Sequence, residues 1–160
     1  MHYLLVALMG FGLCVTPSFA QTDFSETWRM DSARSESAHQ GTPIGPVTLV
    51  IRQTPRDISI VTDTSTSTEK LTYRLDGEEI TINSGANPVK VKAHWDGSRI
   101  VAETARNIND ATVTTVAVLA IAASGKEMTI QRTLTVQHGY QSQDAKNTGS
   151  GKDVFIKVPE

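Results

Sequence analysis

The stretch Val89–Arg106 reads VKVKAHWDGSRIVAETAR and consists of two alternating segments joined by Asp96-Gly97. An Asp-Gly pair between such segments is a strong hairpin signal, because both central residues of a type I′ turn need a positive φ. The first segment places Val89, Val91, Ala93 and Trp95 on one face. The second segment places Ile100, Ala102 and Thr104 on one face, although its opposite face is less polar. The pattern predicts a half-buried antiparallel pair of strands.

Segments of the same kind recur at the short, regular spacing that is typical of an all-β domain. They are Phe24–Met30, Val47–Gln53, the residues around Ile58 and Ile60, Leu71–Leu75, Ile80–Ile82, Ala111–Ala122, Glu127–Gln137 and Asp153–Val158. Asp76-Gly77 predicts a second hairpin turn. Two connections are long and polar: Asp31–Pro46, where a helical turn near Ser32–Ser37 is one interpretation, and His138–Gly151, which is expected to be mobile.

Two short regions allow more than one interpretation. Ala111–Ala122 is apolar on both faces, so a helix over Val116–Ala123 is an alternative to a central strand. The Thr and Val content that precedes it favours the strand. Thr64–Thr68 contains only Thr and Ser and is compatible with a strand or a loop.

Roughly eight to ten strands with short turns predict an antiparallel up-and-down meander that closes into a barrel, because closure removes exposed strand edges. A β-sandwich is the alternative. A barrel of this size has either a packed interior or a cavity for one small ligand. We expect residues 21–160 to form a single domain of this kind.

The first twenty residues have the features of a signal peptide. Leu4–Val15 is an apolar run too short to span a bilayer, and Pro17-Ser18-Phe19-Ala20 ends in a small residue suited to cleavage. We therefore expect export to the periplasm or the extracellular space, with cleavage near Ala20. The only cysteine, Cys14, would be removed with this segment. No later segment is apolar and long enough to predict a membrane span.

Composition and motifs exclude several classes of function. The 15 basic and 17 acidic residues form no run of one sign, which argues against nucleic acid as a partner. No Gly-x-Ser-x-Gly motif, phosphate-binding loop or supported Ser/His/Asp arrangement is present, so we expect neither an enzyme nor a cofactor. His94 and Asp96 share a strand face, but two ligands without a third favour a solvated pair over a metal site. Nothing in the sequence predicts the oligomeric state.

Arg132 is the most informative single residue. In Glu127–Gln137, alternation places it on the apolar face together with Met128, Ile130 and Leu134. A guanidinium keeps its charge and therefore needs a partner on that face. Three partners are possible: the ring of Trp28, the carboxylate of Glu26, or the carboxylate of a ligand.

Three aromatic residues fall on the apolar faces of different strands: Trp28, Tyr73 and Trp95. Such residues are often core, but they can also line a pocket. Together with Arg132 and Glu26 they form the predicted ligand-binding set, with no catalytic or metal-binding residue among them.

Four segments resemble those that recur in small exported bacterial lipocalin-like proteins: Phe24–Trp28 (FSETW), Tyr73–Gly77 (YRLDG), Trp95–Ile100 (WDGSRI) and Gly125–Thr133 (GKEMTIQRT). Those proteins usually open with Phe-Ser-Gly-Thr-Trp, so Glu26 stands where they have glycine. The resemblance implies a calycin-type β-barrel and, by analogy of fold, the binding of small molecules. It also implies that Arg132 contacts Trp28 where one end of the barrel closes.

Two functional hypotheses follow. The first is an exported lipocalin-like barrel that binds a small apolar or amphipathic molecule, with an anionic group of the ligand near Arg132. The second is a structural or protein-interaction barrel with a filled interior and no ligand. An interior cavity of ~300 Å³ or more would favour the first hypothesis.

Overall fold

The computed structural model of the protein describes residues 21–39, 45–84, 87–139 and 147–159. The predicted signal peptide, residues 1–20, lies outside the described residues. So do residues 40–44 and 140–146, which belong to the two long polar connections.

Within these ranges, ten antiparallel strands form one sheet in the order β4-β3-β2-β1-β10-β9-β8-β7-β6-β5. The strands are β1 (Thr27–Met30), β2 (Thr48–Gln53), β3 (Asp57–Asp63), β4 (Thr68–Arg74), β5 (Ile80–Ser84), β6 (Asn87–Asp96), β7 (Arg99–Ile108), β8 (Ala111–Ile121), β9 (Glu127–His138) and β10 (Asn147–Lys157). A 3₁₀ turn, Glu36–His39, lies between β1 and β2. No helix in the described ranges is both long enough and apolar enough to cross a membrane.

The first and last strands pair with each other, with Trp28 opposite Lys157 and Met30 opposite Phe155. This pairing joins the two halves of the meander and curls the sheet into a nearly closed barrel. Its two edges are β4 and β5, and no ladder of described residues joins them. The predicted up-and-down barrel is confirmed, and the sandwich alternative is wrong.

The hairpin of β6 and β7 is confirmed, but its turn lies one residue later than predicted. Asp96 pairs with Arg99, so the two loop residues are Gly97 and Ser98. Gly97 has a φ of 63°, whereas Ser98 is not among the non-glycine residues with positive φ. A glycine at the first central position alone is the arrangement of a type II′ turn. Asp96 therefore ends the strand instead of entering the turn.

The hairpin predicted at Asp76-Gly77 is wrong, because β4 and β5 do not pair. Asp76 instead forms a β-bridge with His94 of β6. The Gly77 amide donates a hydrogen bond to the Ala93 carbonyl at 2.8 Å. These bonds hold the connection against β6, so the chain crosses the open seam of the barrel at this point.

Other boundaries confirm or correct the sequence analysis. Residues 111–121 form β8, so the helix interpretation is wrong. Thr64–Ser67 forms a turn closed by the Thr64 hydroxyl on the Ser67 carbonyl. Asn147–Gly151, expected to be part of a mobile connection, belongs to β10. Ladder pairing with β9 explains this difference, because it stabilises residues whose composition alone is typical of a loop.

Inward-facing side chains fill the barrel unequally. The half that contains the β6–β7 and β8–β9 turns is the packed end, where the largest buried side chains lie: Phe24, Trp28, Ile51, Ile58, Ile100, Met128 and Phe155. The half that contains the β3–β4 and β7–β8 turns is the cavity end. There the inward positions carry mostly threonine, alanine and charged residues.

Candidate functional site

A cavity of about 400 Å³ occupies the cavity end of the barrel. We call it the inner cavity. Its walls come from β2, β3, β4, β7, β8 and β9. They are formed by Val47, Leu49, Ile60, Thr62, Thr64, Glu69, Leu71, Tyr73, Ala102, Thr104, Arg106, Thr115, Ala117, Leu119, Ile130 and Arg132. The volume falls within the usual range of ligand pockets, roughly 300–1,000 Å³.

The cavity exists because short side chains occupy its inward positions. Ala102 and Thr104 on β7 face Ala117 and Thr115 on β8. The next inward pair toward the packed end, Ile100 with Leu119, consists of larger side chains that are both buried, and there Leu119 forms the inner limit of the cavity. Replacing large inward residues with small ones leaves volume that the rigid strand spacing does not remove.

Arg132 lines the inner cavity, as alternation along β9 predicts. Its Nη1 forms an ion pair with Oδ2 of Asp153 on the neighbouring strand β10. The same nitrogen donates to the Ser37 hydroxyl at 3.3 Å. The partner of Arg132 is therefore neither Trp28 nor Glu26, so both of those predicted pairings are wrong.

Asp153 is 1% exposed and joins three parts of the site. Its Oδ1 accepts the Ser37 amide at 3.0 Å, and its Oδ2 accepts the Ser37 hydroxyl at 2.5 Å. A buried carboxylate is stable only when it is paired and hydrogen-bonded, and this one is both. The network ties the 3₁₀ turn of the β1–β2 connection to β10 and to Arg132.

A second ion pair crosses the cavity end. Arg106 of β7 binds Glu69 of β4 through two bonds, Nη1–Oε1 at 2.9 Å and Nη2–Oε2 at 3.1 Å. This is the bidentate geometry that suits a guanidinium and a carboxylate. Because β4 is one edge of the sheet, the pair links that edge to a strand that is not its neighbour.

Tyr73 lies among these charges on the cavity wall and is 6% exposed. Burial raises the pKa of Tyr73 to about 12, and the negative charge of Glu69 adds to the rise. The positive charges of Arg106 and Arg132 act in the opposite direction. The phenol, which is neutral at physiological pH even at its ordinary pKa, can donate a hydrogen bond.

A smaller pocket of about 270 Å³ adjoins the inner cavity. We call it the mouth pocket. Its lining residues are Ser37, Thr115, Arg132, Leu134, Gly149, Ser150 and Gly151. Arg132 and Thr115 border both spaces, so the guanidinium stands between them. Leu134 faces inward by alternation yet is 43% exposed, because the barrel is open at this end.

Three of the five predicted site residues do not line the inner cavity. Trp28 is buried in the packed end, where its Nε1 donates to the Phe24 carbonyl at 3.1 Å. Glu26 forms an ion pair with Lys157. Trp95 packs against Phe24, with ring centroids 6.1 Å apart. Only Arg132 and Tyr73 of the predicted set share the cavity wall.

Trp95 borders a different space, an open cleft of about 540 Å³ beside the turns of the packed end. Its other walls include Pro55, Arg56, Arg74 and Asp76. Arg74 pairs with Asp76 and with Glu78, so these charges satisfy one another. His94 is exposed, and Asp96 pairs with Arg99. Within the described ranges, no three His, Cys, Asp or Glu side chains converge as metal ligands would.

The sequence analysis did not identify Arg106, Glu69 and Asp153 as site residues. Alternation along the strands would have placed the first two on inward faces. Arg106 follows Ile100, Ala102 and Thr104 on the inward face of β7. Glu69 precedes Leu71 and Tyr73 on the inward face of β4. Asp153 was assigned to a strand, but its burial depends on Ser37, which is distant in the sequence.

No family model matches the chain. No curated protein matches its sequence either. Solved structures do match. Human cRBP IV is 17% identical, with a TM-score of 0.53 over 86% of this chain and 99% of that chain. The SAHS protein of Ramazzottius varieornatus is 13% identical, with a TM-score of 0.58 over 84% and 95%. Fatty-acid-binding protein 1 of Echinococcus granulosus is 12% identical, with a TM-score of 0.54 over 85% and 98%.

At these identities the likeness shows the fold, which is a calycin-type β-barrel. The resemblance seen in the sequence therefore implied the correct architecture. The interior combines the two predicted outcomes, since it is filled at the packed end and hollow at the cavity end.

Proposed function

We propose that this protein is an exported calycin-type barrel that binds a small apolar or amphipathic molecule in the inner cavity and catalyses no reaction. The observation that carries the proposal is the cavity of about 400 Å³, which is lined in part by aliphatic side chains and adjoins an open mouth pocket. In a barrel with a purely structural role, we would expect larger inward side chains to fill this volume, because the added buried contacts would raise the stability.

The similar solved structures support the proposal by their descriptions. One is a fatty-acid-binding protein, and another is a fatty acid transporter that is 14% identical with a TM-score of 0.55. Binding proteins of this fold hold their ligand inside the barrel when the interior is large enough. The cavity end of this chain meets that condition.

Calorimetric titration with decanol, a short uncharged amphiphile, tests binding in the inner cavity. Ala117→Trp should weaken decanol binding by at least about tenfold, because Ala117 lines the cavity and an indole would fill it. Ala120→Trp is the matched control, since Ala120 lies three residues further along β8 and points outward by alternation. If Ala117→Trp does not fold, Ala102→Leu is the alternative variant, because it adds a smaller volume to the same cavity wall. Equal binding by all variants and the parent would contradict the proposal.

Export is supported by the apolar run Leu4–Val15 and the small residue at Ala20. Cell fractionation and N-terminal sequencing of the protein from its own host test it. We expect a chain that begins at Gln21 outside the cytoplasm. An intact N-terminus at Met1 would contradict export by this route.

A further inference from the structure

The charges on the wall of the inner cavity are already paired with one another. Arg106 is bound to Glu69 through both terminal nitrogens. Arg132 is bound to Asp153 and Ser37. Among the described residues, the cavity wall and its direct partners therefore carry two positive and two negative charges, which sum to zero.

This pairing disfavours a charged ligand of either sign. A carboxylate near Arg106 would lie beside Glu69, and the two negative charges would repel each other in a partly desolvated space. An ammonium group near Glu69 would meet Arg106 in the same way. Displacing Glu69 would leave its carboxylate without a partner on the cavity wall, which is also unfavourable.

Uncharged hydrogen-bonding groups remain available on the same wall. Thr62, Thr104 and Thr115 present hydroxyl groups that both donate and accept. Tyr73 adds a phenol, which is protonated at neutral pH and can donate a hydrogen bond from its place on the cavity wall. These groups suit a hydroxyl or carbonyl oxygen at the end of an apolar molecule.

We infer that the ligand of the inner cavity is an uncharged amphiphile, an apolar body with a hydroxyl or carbonyl head, and that Glu69 and Asp153 select against fatty carboxylates by neutralising the two cavity arginines. The inference rests on the proposed function and narrows its ligand class. It replaces the expectation that Arg132 pairs with a ligand's acidic group.

Three probes of equal chain length distinguish an uncharged, an anionic and a cationic ligand. They are decanol, decanoate and decylammonium, titrated into the unaltered protein at neutral pH. We expect decanol to bind about tenfold or more tightly than either ion. Decanoate binding that equals or exceeds decanol binding would overturn the inference and leave the proposed function standing. Binding of none of the three would overturn the proposed function and the inference with it.

Glu69→Gln tests the selecting role of the carboxylate, because it frees Arg106 while keeping the side-chain size. The ratio of decanoate affinity to decanol affinity should rise about tenfold or more. Glu103→Gln is the matched control. Glu103 pairs with Lys92 at 3.2 Å on the outer face of the barrel, so its loss should change neither affinity. An unchanged ratio of decanoate to decanol affinity in Glu69→Gln would contradict the role of Glu69. The series on the unaltered protein tests the inference even if this variant does not fold.

Discussion

The packed end and the cavity end are built from the same strands with the same alternation, but their inward side chains differ in size. Phe24, Trp28 and Phe155 fill the packed end and are no more than 1% exposed. Ala102, Thr104 and Thr115 occupy equivalent inward positions at the cavity end. The comparison shows that the backbone of a barrel does not decide whether it is hollow. The volume of the inward side chains decides it, within strand spacings that the hydrogen bonds hold constant.

The ends also differ in how they tolerate charge. At the packed end, Glu26 and Lys157 pair at the rim, and the core between the strands is apolar. At the cavity end, two ion pairs point into the barrel. A charge inside the barrel requires a partner, and each arginine at the cavity end has one. Stability should therefore come mainly from the packed end and ligand binding from the cavity end.

The largest expected effect is at Trp28. Trp28→Ala should lower the free energy of unfolding by about 3–5 kcal/mol, because it removes the largest buried side chain of the packed end. Urea denaturation followed by circular dichroism measures the loss. Trp28→Phe is the control, since it keeps a ring and loses the hydrogen bond to the Phe24 carbonyl, and it should cost less. A cost below about 1 kcal/mol for Trp28→Ala would contradict the assignment of stability to this end.

A sharper comparison uses two isoleucines on the same face of β3. Ile58 has no exposed surface, whereas Ile60 is partly buried and lines the inner cavity. Ile58→Ala should cost about 3 kcal/mol in unfolding free energy, and Ile60→Ala about 1 kcal/mol, because fewer contacts surround the second side chain. Both values come from the same denaturation experiment. Equal losses of unfolding free energy would mean that the cavity end is as tightly packed as the packed end.

The smallest effect is a loss of stability at high pH through Tyr73. Its pKa is about 12 in the folded protein against an ordinary value of 10.0, so the unfolded chain releases the proton first as the pH rises. Stability from this group is intact below pH ~10 and is lost between pH ~10 and ~12, by about 1 kcal/mol at pH ~11.

Tyr73→Phe provides the control, because it removes the titrating hydroxyl and leaves the other groups that ionise in this range. Urea denaturation at both ends of this pH range should show a larger fall in stability for the parent than for the variant. Falls of the same size would show that the Tyr73 environment does not disfavour the phenolate.

Much of the fold was predictable because strands carry a local signal. Alternation identified a segment in each of the ten strands among the described residues, although only the second half of β10 was included, and it placed Arg132 inward. The segment at Asn147–Gly151 was missed because its Gly and Ser content is typical of a loop. Its strand conformation depends on the ladder with β9, which is a non-local interaction.

The site was less predictable, because alternation tells whether a side chain points into the barrel but not at which end of the barrel it lies. Trp28, Trp95 and Arg132 all face inward, yet the two tryptophans lie at the packed end and Arg132 borders the mouth pocket. The pairing of β1 with β10 sets these positions, and no local pattern encodes which strands meet. The same limit explains why Arg132 was paired with Trp28 and Glu26 instead of Asp153.

The sequence by itself determined that this protein is an all-β barrel, because the period of two and the turn residues are properties of neighbouring residues in the chain. It also determined which side chains face inward. Only the tertiary structure decided that the seam lies between β4 and β5, that one end is packed and the other hollow, and that each cavity arginine has its own carboxylate. These features depend on contacts such as Ser37 with Asp153 and Glu69 with Arg106, which form only when the curled sheet brings distant strands together.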